Sequence, residues 1–566
     1  MTPSSLKLSV LLASLPLALV ASGAPDSAAP AFPVTVRVDA SRTLGEMKPI
    51  WRFFGADEPN YATMKDGRRL LGELGEIRPG SVYFRSHNLL CTGDGTPALK
   101  WGSTNAYTED PQGRPVYDWT IMDRIFDTYH ERGVRPYAQI GFMPEALSTH
   151  PEPYQHEWRP GLKYDAIGTG WSYPPRDYGK WAELVYQWVR HCVGRYGSAE
   201  VEHWFWEVWN EPNLAPYWHG TAEDFYKLHD FAVDAVRRAL PTARVGGADV
   251  AGGGGKFMED FLAHCARGRN YATGAKGTPT DFLSFHAKGR PSFVDGHVRL
   301  GISAQLAEIG RGFEMVSRVP ELRDRPIVIG ESDPDGCAAC VGPQLGYRTG
   351  TMYSSYTAAS LAREYALADK YGVNLEGALT WAFEFEDQPY FAGQRVLATN
   401  GIDLPVLNVF RMLGRMGGRR VGVSSTGEAD LDSIVRDGVP GAPDVGALAS
   451  VEGKRVCVLV WHYHDDDLDG PDARVSLEFS HLSPESGGAR LIHYRIDETH
   501  SNAFTVWKLM GRPAAPDDAQ YARMRSAGGL TALADSPARV AVGKGGASVS
   551  FMLPRRAVSL LVLELE

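Results

Sequence analysis

Short apolar runs alternate with amphipathic stretches from about residue 50 to residue 412. The runs are rich in β-branched and aromatic residues, which is typical of strands that are buried on both faces. Between them, apolar residues recur at helical spacing, as in Tyr178–Arg190, and Thr221–Asp224 resembles a capping box that starts another helix. The predicted strands are Phe53–Ala56, Val82–Arg85, Arg135–Phe142, Val201–Val208, Arg244–Ala248, Phe282–His286, Ile327–Ile329 and Leu375–Phe383.

Eight predicted strands that alternate with helices favour a parallel sheet, and eight is the number that closes into a barrel. The sequence therefore predicts an α/β fold with a (β/α)8 TIM barrel over residues 46–412. An open doubly wound sheet is the alternative, but no G-x-G-x-x-G motif follows the first predicted strand. The run Gly252–Gly255 lacks the G-K-[ST] ending of a phosphate-binding loop, so we expect a flexible loop there.

After Gly417-Gly418 the pattern changes to short strands separated by turn-rich segments. This change predicts a C-terminal antiparallel β-sandwich over residues 413–566. Val34–Val38, in an N-terminal segment over residues 24–45, alternates in the same way and is expected to join the sandwich. The run Asp465–Asp467 could bind calcium, but a solvated turn is the preferred interpretation. The predicted strands of the sandwich are Val456–Trp461, Ala473–Phe479, Val540–Val542 and Ala557–Leu563.

The N-terminus predicts export. Lys7 precedes an apolar stretch from Leu8 to Val20, and small residues follow at 21–24, which is the pattern of a secretory signal peptide over residues 1–23. No later segment reaches about 18 uninterrupted apolar residues, so no membrane span is expected. We expect a secreted or periplasmic protein, in which Cys337 and Cys340 form a local disulfide or remain two free thiols. A zinc site would need a second such pair, so no metal is expected.

Composition narrows the range of partners. A formal net charge of −10, without a dense Lys/Arg cluster, argues against a nucleic-acid partner. With 14 Trp and 24 Tyr, the chain has many aromatic residues, and several lie in predicted loops, where they could stack on sugar rings or only pack. These loop residues are Trp101, Trp158, Trp171, Tyr217 and Trp218.

Two glutamates end predicted buried strands. Glu211, in Asn210-Glu211-Pro212, follows the fourth strand, and Glu331 follows Ile327–Ile329, the seventh. The carboxyl ends of barrel strands meet at one opening, so both carboxylates should face one cleft. Glycosidic cleavage needs such a pair, one as general acid/base and one as nucleophile. A carbohydrate-binding protein without activity is the alternative from another class, and the presence of both acids disfavours it.

On these motifs the chain resembles glycoside hydrolase family 39, and most closely its bacterial β-xylosidases. The resemblance rests further on Trp51–Tyr61, Trp381–Asp387 and Gly401–Asn408. It implies a retaining exo-β-1,4-xylosidase that releases xylose from the non-reducing ends of xylo-oligosaccharides without a cofactor. It also implies that Glu211 is the acid/base and that Glu331 is the nucleophile.

The same resemblance implies a set of substrate-binding residues. Asn210 would contact the sugar 2-hydroxyl, a contact that strengthens in the transition state. Taken alone, His87 and His286 could equally be residues of the core, and Trp381 could serve only the packing of the barrel. The choice of Glu386 is open, because Glu384 and Asp387 lie beside it. The other residues of the set are His87, His286, Lys288, Trp381 and Glu386.

Lys288 departs from the xylosidase pattern, in which a tyrosine stands two residues after the histidine of strand six. The lysine resembles α-L-iduronidase, where it and an arginine after strand eight hold the substrate carboxylate, and Arg395 is the candidate for that arginine. The same lysine could instead pair with Glu384 or Glu386 and leave a site for a neutral sugar. A β-xylosidase is the preferred interpretation. An α-L-iduronidase-like uronidase, or another exo-glycosidase of the family, is the alternative.

Overall fold

The computed structural model describes residues 30–96, 104–155, 169–381, 383–482 and 487–566. The predicted signal peptide, Trp101 and Trp158 lie outside the described residues. Within the described chain, eight parallel strands close into a barrel, each paired with its neighbours in chain order and the last with the first. The strands are β1 (Phe53–Ala56), β2 (Val82–Ser86), β3 (Val134–Ile140), β4 (Phe205–Val208), β5 (Arg244–Val250), β6 (Phe282–Lys288), β7 (Pro326–Asp333) and β8 (Asn374–Trp381).

The predicted TIM barrel is confirmed. The main difference lies before β4, where the sequence predicted a strand from Val201. Ser198–Val201 instead forms one helical turn, and β4 starts at Phe205. Gly197 begins that turn with a φ of 85°, a left-handed value that glycine adopts without steric cost. Periodicity alone does not separate a short apolar strand from a buried helical turn.

Helices surround the barrel and also occur in the C-terminal region. The capping box at Thr221 and Asp224 is confirmed, because each side chain accepts a hydrogen bond from the backbone N–H of the other residue. No helix among the described residues is long and apolar enough to cross a bilayer. The helices are α1 (Lys65–Ile77), α2 (Thr120–Glu131), α3 (Tyr178–Tyr196), α4 (Ser198–Val201), α5 (Ala222–Ala239), α6 (Gly255–Arg267), α7 (Ile302–Ser317), α8 (Thr351–Tyr371), α9 (Pro405–Leu413), α10 (Leu431–Asp437), α11 (Ala503–Leu509) and α12 (Asp518–Gly528).

Short elements fill the loops between strands and helices. Gly252–Gly255, expected to be a flexible loop, instead belongs to a 3₁₀ turn and the start of α6, and all four glycines have positive φ. The hairpins pair Tyr107–Glu109 with Pro115–Tyr117, Ser292–Val294 with His297–Arg299, and Ala398–Thr399 with Ile402–Asp403. The 3₁₀ turns are Pro59–Thr63, Glu145–Leu147, Gly170–Ser172, Ala251–Gly253 and Pro343–Thr349.

Aromatic rings fill the barrel at the amino-terminal ends of its strands. The Phe205 ring lies at the centre of this cluster, with its centroid 5.0 to 5.6 Å from those of Phe53, Tyr83, Tyr137 and Phe282. The cluster closes this end of the barrel, because inward-pointing side chains leave no channel in a barrel of this size. Arg244, the first residue of β5, covers the Phe205 ring at 4.0 Å from outside the cluster.

The predicted sandwich is also confirmed. In the described region, ten strands form one sheet that encloses a separate apolar core. Neighbouring strands are antiparallel except for one pair: Phe32–Glu46 runs parallel to Ala473–Ser480. On its other side, Phe32–Glu46 pairs with Arg419–Ser425. The order across the sheet is Thr531–Ala532, Gly488–Ile496, Val558–Leu565, Arg455–Tyr463, Asp444–Glu452, Arg419–Ser425, Phe32–Glu46, Ala473–Ser480 and Ala547–Leu553, with Arg539–Ala541 also paired to Gly488–Ile496.

The run Asp465–Asp467 is not a solvated turn, contrary to the sequence-based interpretation. Asp465 and Asp466 are buried where the sandwich meets the barrel. The Asp465 carboxylate accepts a hydrogen bond from the backbone N–H of Val439, and Asp466 pairs with Arg299 in a hairpin of the barrel. The ion pair between Asp466 and Arg299 therefore connects the sandwich to the barrel.

We predict that Phe205→Ala destabilises the barrel by about 3–5 kcal/mol, because it removes the ring at the centre of the aromatic cluster. Urea unfolding followed by circular dichroism measures the change. Phe293→Ala is the matched control, since that ring is 49% exposed, and we expect a change within about 0.5 kcal/mol. Equal effects of the two substitutions would show that the cluster does not carry the stability assigned to it.

Candidate active site

A pocket opens at the carboxyl ends of the barrel strands, and both predicted glutamates line it. Its empty volume is about 360 Å³. A larger cavity of about 1050 Å³ lies between α8 and the sandwich, but neither glutamate lines it, so the smaller pocket is the candidate site. The pocket is lined by Asp57, His87, Asn210, Glu211, Tyr217, Glu331, Gly336, Cys337, Ala338 and Trp381.

The backbone after β4 directs Glu211 into the pocket. Trp209 and Glu211 have φ values of 72° and 46°, which are uncommon for residues other than glycine. The Glu211 N–H donates to the Asp249 carbonyl oxygen at 3.0 Å, and Pro212 has no N–H with which to extend the ladder. Such local strain is typical of functional sites, where the surrounding structure holds it in place.

His286 of β6 supports Glu211 from behind. Its Nδ1 lies 2.9 Å from Glu211 Oε1, and its Nε2 lies 2.7 Å from Asp249 Oδ2. Burial alone would lower the pKa of His286, but the charges of Asp249 and Glu331 raise it to about 10. The ring is therefore an imidazolium that donates from both nitrogens. Carboxylate oxygens lie within hydrogen-bond distance of both ring nitrogens and His286 does not line the pocket, so its contact with the sugar stays a prediction.

Basic side chains surround Glu331, and Lys288 and Arg85 place positive charge next to it. Lys288 Nζ lies 2.7 Å from its Oε2, while Arg85 and His87 approach its Oε1 at 3.4 and 3.5 Å. Burial alone would raise the pKa of Glu331, but the charges of His286 and Lys288 hold it well below its ordinary value. Glu331 is therefore a carboxylate over the whole neutral and mildly acidic range.

Arg85 of β2 links the polar groups beneath the pocket. Its fully buried guanidinium donates to Glu207 at 2.6 Å, to Asn210 Oδ1 at 3.1 Å and to Asp249, besides its contact with Glu331. Burial of Glu207 raises its pKa to about 7 despite the nearby Arg85 charge. The guanidinium thus fixes residues that come from β4, β5 and β7.

His87 and Trp381, both predicted site residues, form one wall of the pocket. The His87 ring centroid lies 4.4 Å from that of Trp381, and Gln139 Oε1 lies 2.6 Å from His87 Nδ1. Gly55 of β1 makes room for the indole, since a Cβ atom there would lie 2.3 Å from it. The wall therefore requires a glycine on the neighbouring strand.

Lys288 pairs with carboxylates other than those suggested by the sequence. Its Nζ lies 2.5 Å from Asp333 Oδ2, whereas the alternative predicted a pair with Glu384 or Glu386. Arg395, the candidate for holding a substrate carboxylate, is fully buried, and its guanidinium lies 2.7 Å from Asp333 Oδ1. Asp333 therefore neutralises part of the charge of both cations.

Glu386 lies away from the pocket. Its carboxylate accepts hydrogen bonds from the backbone N–H groups of Asp66 and Gly67, at 2.5 and 2.9 Å, at the start of α1. An acidic group is favourable there because of the helix dipole. Its neighbour Glu384 accepts from the Gly401 N–H at 2.7 Å, and burial raises the pKa of Glu384 to about 8.

Cys337 and Cys340 form a disulfide, which was one of the two alternatives predicted for this pair. Cys337 lines the pocket, so the bridge lies at its rim. Tyr217 also lines the pocket, while Trp171 and Trp218 are buried. No group of three or more His, Cys, Asp or Glu side chains in the described ranges could hold a metal ion.

Arg85, Asp249 and Asp333 belong to the site although none of them was predicted as a site residue. All three are polar residues at the carboxyl ends of buried strands, which is the same signal that identified Glu211 and Glu331. Applied to every predicted strand rather than to glutamates alone, that signal would have found them.

The chain is similar to known proteins over most of its length. Residues 34–541 match the family model "Glycosyl hydrolases family 39". The chain is 26% identical to a β-xylosidase of Geobacillus stearothermophilus, over 83% of this chain and 84% of the relative, and 26% identical to mouse α-L-iduronidase, over 87% and 75%. It superposes on the GH39 enzyme from Xanthomonas axonopodis pv. citri with a TM-score of 0.72 at 23% identity, over 95% of this chain and 98% of that one.

We predict that Arg85→Met destabilises the protein by about 3–5 kcal/mol, because it leaves buried carboxylates without their cation. In the folded parent the pKa of Glu207 is about 7, whereas the ordinary value is 4.5. The folded state therefore binds the proton more tightly than the unfolded state, and the free energy of unfolding falls as pH rises from about 4.5 to 7. In the variant the pKa of Glu207 rises further, so the loss should continue above pH 7.

Unfolding temperatures between pH 5 and pH 8 test this prediction. Arg37→Met, at a pair in which both side chains are largely exposed, is the control and should leave the pH dependence unchanged. If Arg85→Met had the same pH dependence as the parent, Arg85 would not be the group that balances Glu207.

Proposed function

The chain belongs to family 39 of the glycoside hydrolases, and on that premise we propose that it is a retaining exo-β-1,4-xylosidase. It would release xylose from the non-reducing ends of xylo-oligosaccharides. The observation that carries the proposal is that Glu211 and Glu331 line one pocket, each near a different nitrogen of the His286 ring, at 2.9 and 3.8 Å. Two carboxylates on one pocket provide the groups for double displacement.

In the first step, a carboxylate oxygen of Glu331 attacks the anomeric carbon and the bond to the leaving oxygen breaks. Glu211 gives its proton to that oxygen, so the aglycone leaves as a neutral alcohol. In the second step, water attacks the anomeric carbon and gives a proton to Glu211, while the ester bond to Glu331 breaks. The sugar leaves with retained configuration, and both glutamates return to their starting states.

The electrostatics of the site support these roles. The lowered pKa of Glu331 keeps it ionised and ready to attack. His286 Nδ1 lies 2.9 Å from Oε1 of Glu211 and holds the side chain in place, which leaves Oε2 available to face the leaving oxygen.

The pairing of Lys288 supports a neutral glycone. Its ammonium already contacts Glu331 and Asp333, and Arg395 is buried against Asp333. A sugar carboxylate would have to compete with these protein carboxylates, whereas xylose needs no cation. The similarity to a bacterial β-xylosidase over most of both chains points the same way.

An α-L-iduronidase-like activity is the second candidate, because Lys288 lies next to Glu331 and mouse α-L-iduronidase is a relative. Rates on aryl β-xyloside and aryl α-L-iduronide, measured for the parent and for Lys288→Tyr, separate the two. We expect the parent to prefer the xyloside and Lys288→Tyr to keep that preference. A parent preference for the iduronide that disappears in Lys288→Tyr would overturn the xylosidase proposal.

We predict that Glu331→Ala lowers kcat on nitrophenyl β-xyloside by about four orders of magnitude or more, because no nucleophile remains.

Glu211→Ala should lower kcat on xylobiose by about 10²–10⁴, because no general acid remains to protonate the leaving oxygen. On the nitrophenyl substrate, the first step should be much less affected, since that leaving group departs without a proton. Glu478→Ala, at an exposed pair in the sandwich, should behave as the parent. A label from a fluorinated xyloside on any residue other than Glu331 would contradict the assignment.

We predict that Lys288→Met raises the pKa of Glu331, because it removes a positive charge 2.7 Å from the carboxylate. Glu331 would then become protonated at a higher pH as the solution is acidified. The acid limb of the pH profile of kcat/KM should therefore move to higher pH. Lys256→Met, at an exposed pair on α6, is the control. An unchanged acid limb in Lys288→Met would show that this charge does not set the ionisation of Glu331.

A further inference from the structure

The wall of the pocket formed by Gly336–Ala338 has no regular secondary structure. It follows β7 directly, so it begins only a few residues after Glu331. Gly336 is exposed, and Cys337 and Cys340 are half-buried. A segment of this kind keeps a fixed shape only if other groups hold it.

A buried guanidinium holds the outer side of this wall. Arg348 donates to both carboxylate oxygens of Asp335, at 2.7 and 3.1 Å. It also donates to the carbonyl oxygens of Cys337, Ala338 and Cys340, at 2.7, 3.2 and 2.7 Å. The chain therefore wraps around one fully buried side chain, with its pocket side free to face a ligand.

The disulfide closes the same turn covalently. A bridge between residues 337 and 340 closes a very short loop, and such loops add little to global stability. What it restricts is the local path of the chain between Gly336 and Cys340. Glu331, in contrast, is held by Lys288 and Arg85, which lie on other strands.

We propose that the Cys337–Cys340 disulfide is a positioning element of the substrate pocket, which holds the Gly336–Ala338 wall against the bound sugar. This inference rests on the proposed glycosidase site. The bridge acts on substrate affinity, because the wall lines the pocket while the reacting carboxylate is fixed independently. Loss of the bridge should raise KM and leave kcat nearly unchanged, as for contacts that are equal in the ground state and the transition state.

Mild reduction of the folded protein with a dithiol tests the proposal. The dithiol supplies two electrons and two protons, becomes its own cyclic disulfide, and leaves thiols at Cys337 and Cys340. The described free cysteines are all buried, so a thiol reagent under native conditions should detect none before reduction and two afterwards. Those buried thiols are Cys91, Cys192, Cys265 and Cys457.

For the reduced enzyme we expect KM on an aryl glycoside to rise by about tenfold, which corresponds to a loss of about 1.4 kcal/mol of binding shared by the ground state and the transition state. Reoxidation should restore KM, and the unfolding temperature should change little. The double variant with Cys337→Ser and Cys340→Ser should match the reduced parent, and the dithiol should have no further effect on it. That last measurement shows that the reductant acts through this bridge alone.

Kinetics are measured on whichever aryl glycoside the oxidised parent hydrolyses. An active parent whose KM is the same in the oxidised and reduced states would overturn the inference alone. A fall in kcat together with a large fall in unfolding temperature would also overturn it, because the bridge would then serve general stability. An oxidised parent that hydrolyses no aryl glycoside would overturn the proposed function, and this inference with it.

Discussion

The site depends on one buried positive charge, the guanidinium of Arg85. A charge removed from water is costly unless it is paired and hydrogen-bonded, and Arg85 meets both conditions through Glu207, Asp249 and Asn210. Glu207 and Asn210 belong to β4 and its end and Asp249 belongs to β5, so the same contacts that neutralise the guanidinium also fix the relative positions of β2, β4 and β5. His286 extends the network to Glu211, and the electrostatic state of the pocket is therefore set within the barrel itself.

The barrel is layered along its axis, with aromatic rings at one end and a charged network at the other. The rings around Phe205 exclude water from the amino-terminal end, so that the polar groups above them interact in a medium of low dielectric constant. In such a medium the charges of His286 and Lys288 act strongly on Glu331. The apolar packing at one end of the barrel thus strengthens the electrostatic interactions that set the ionisation of the site at the other end.

Much of this organisation could be predicted from the sequence. Apolar runs gave the barrel strands, because burial on both faces leaves a local pattern, and the acids at strand ends identified Glu211 and Glu331. The pairing of Lys288 with Asp333 could not be predicted in this way, because a strand-end signal identifies each residue but not its partner on the neighbouring strand. Glu386 matched a motif but caps α1, since a nearby helix end offered unpaired N–H groups. Local patterns identify strands and their ends, whereas pairing across the barrel depends on tertiary geometry.

The strand Phe32–Glu46 lies inside the sheet of the sandwich, between Arg419–Ser425 and Ala473–Ser480. It precedes the barrel in the chain, yet both its neighbours follow the barrel. During synthesis this strand therefore emerges first and waits, with both hydrogen-bonding edges open, until the whole barrel has been made. The sheet of the sandwich is completed only after the barrel has been synthesised, when the later strands pair with Phe32–Glu46. A shortened chain that ends after the barrel would leave both edges of that strand exposed. The sandwich domain therefore protects the N-terminal strand, because it supplies both of its neighbours.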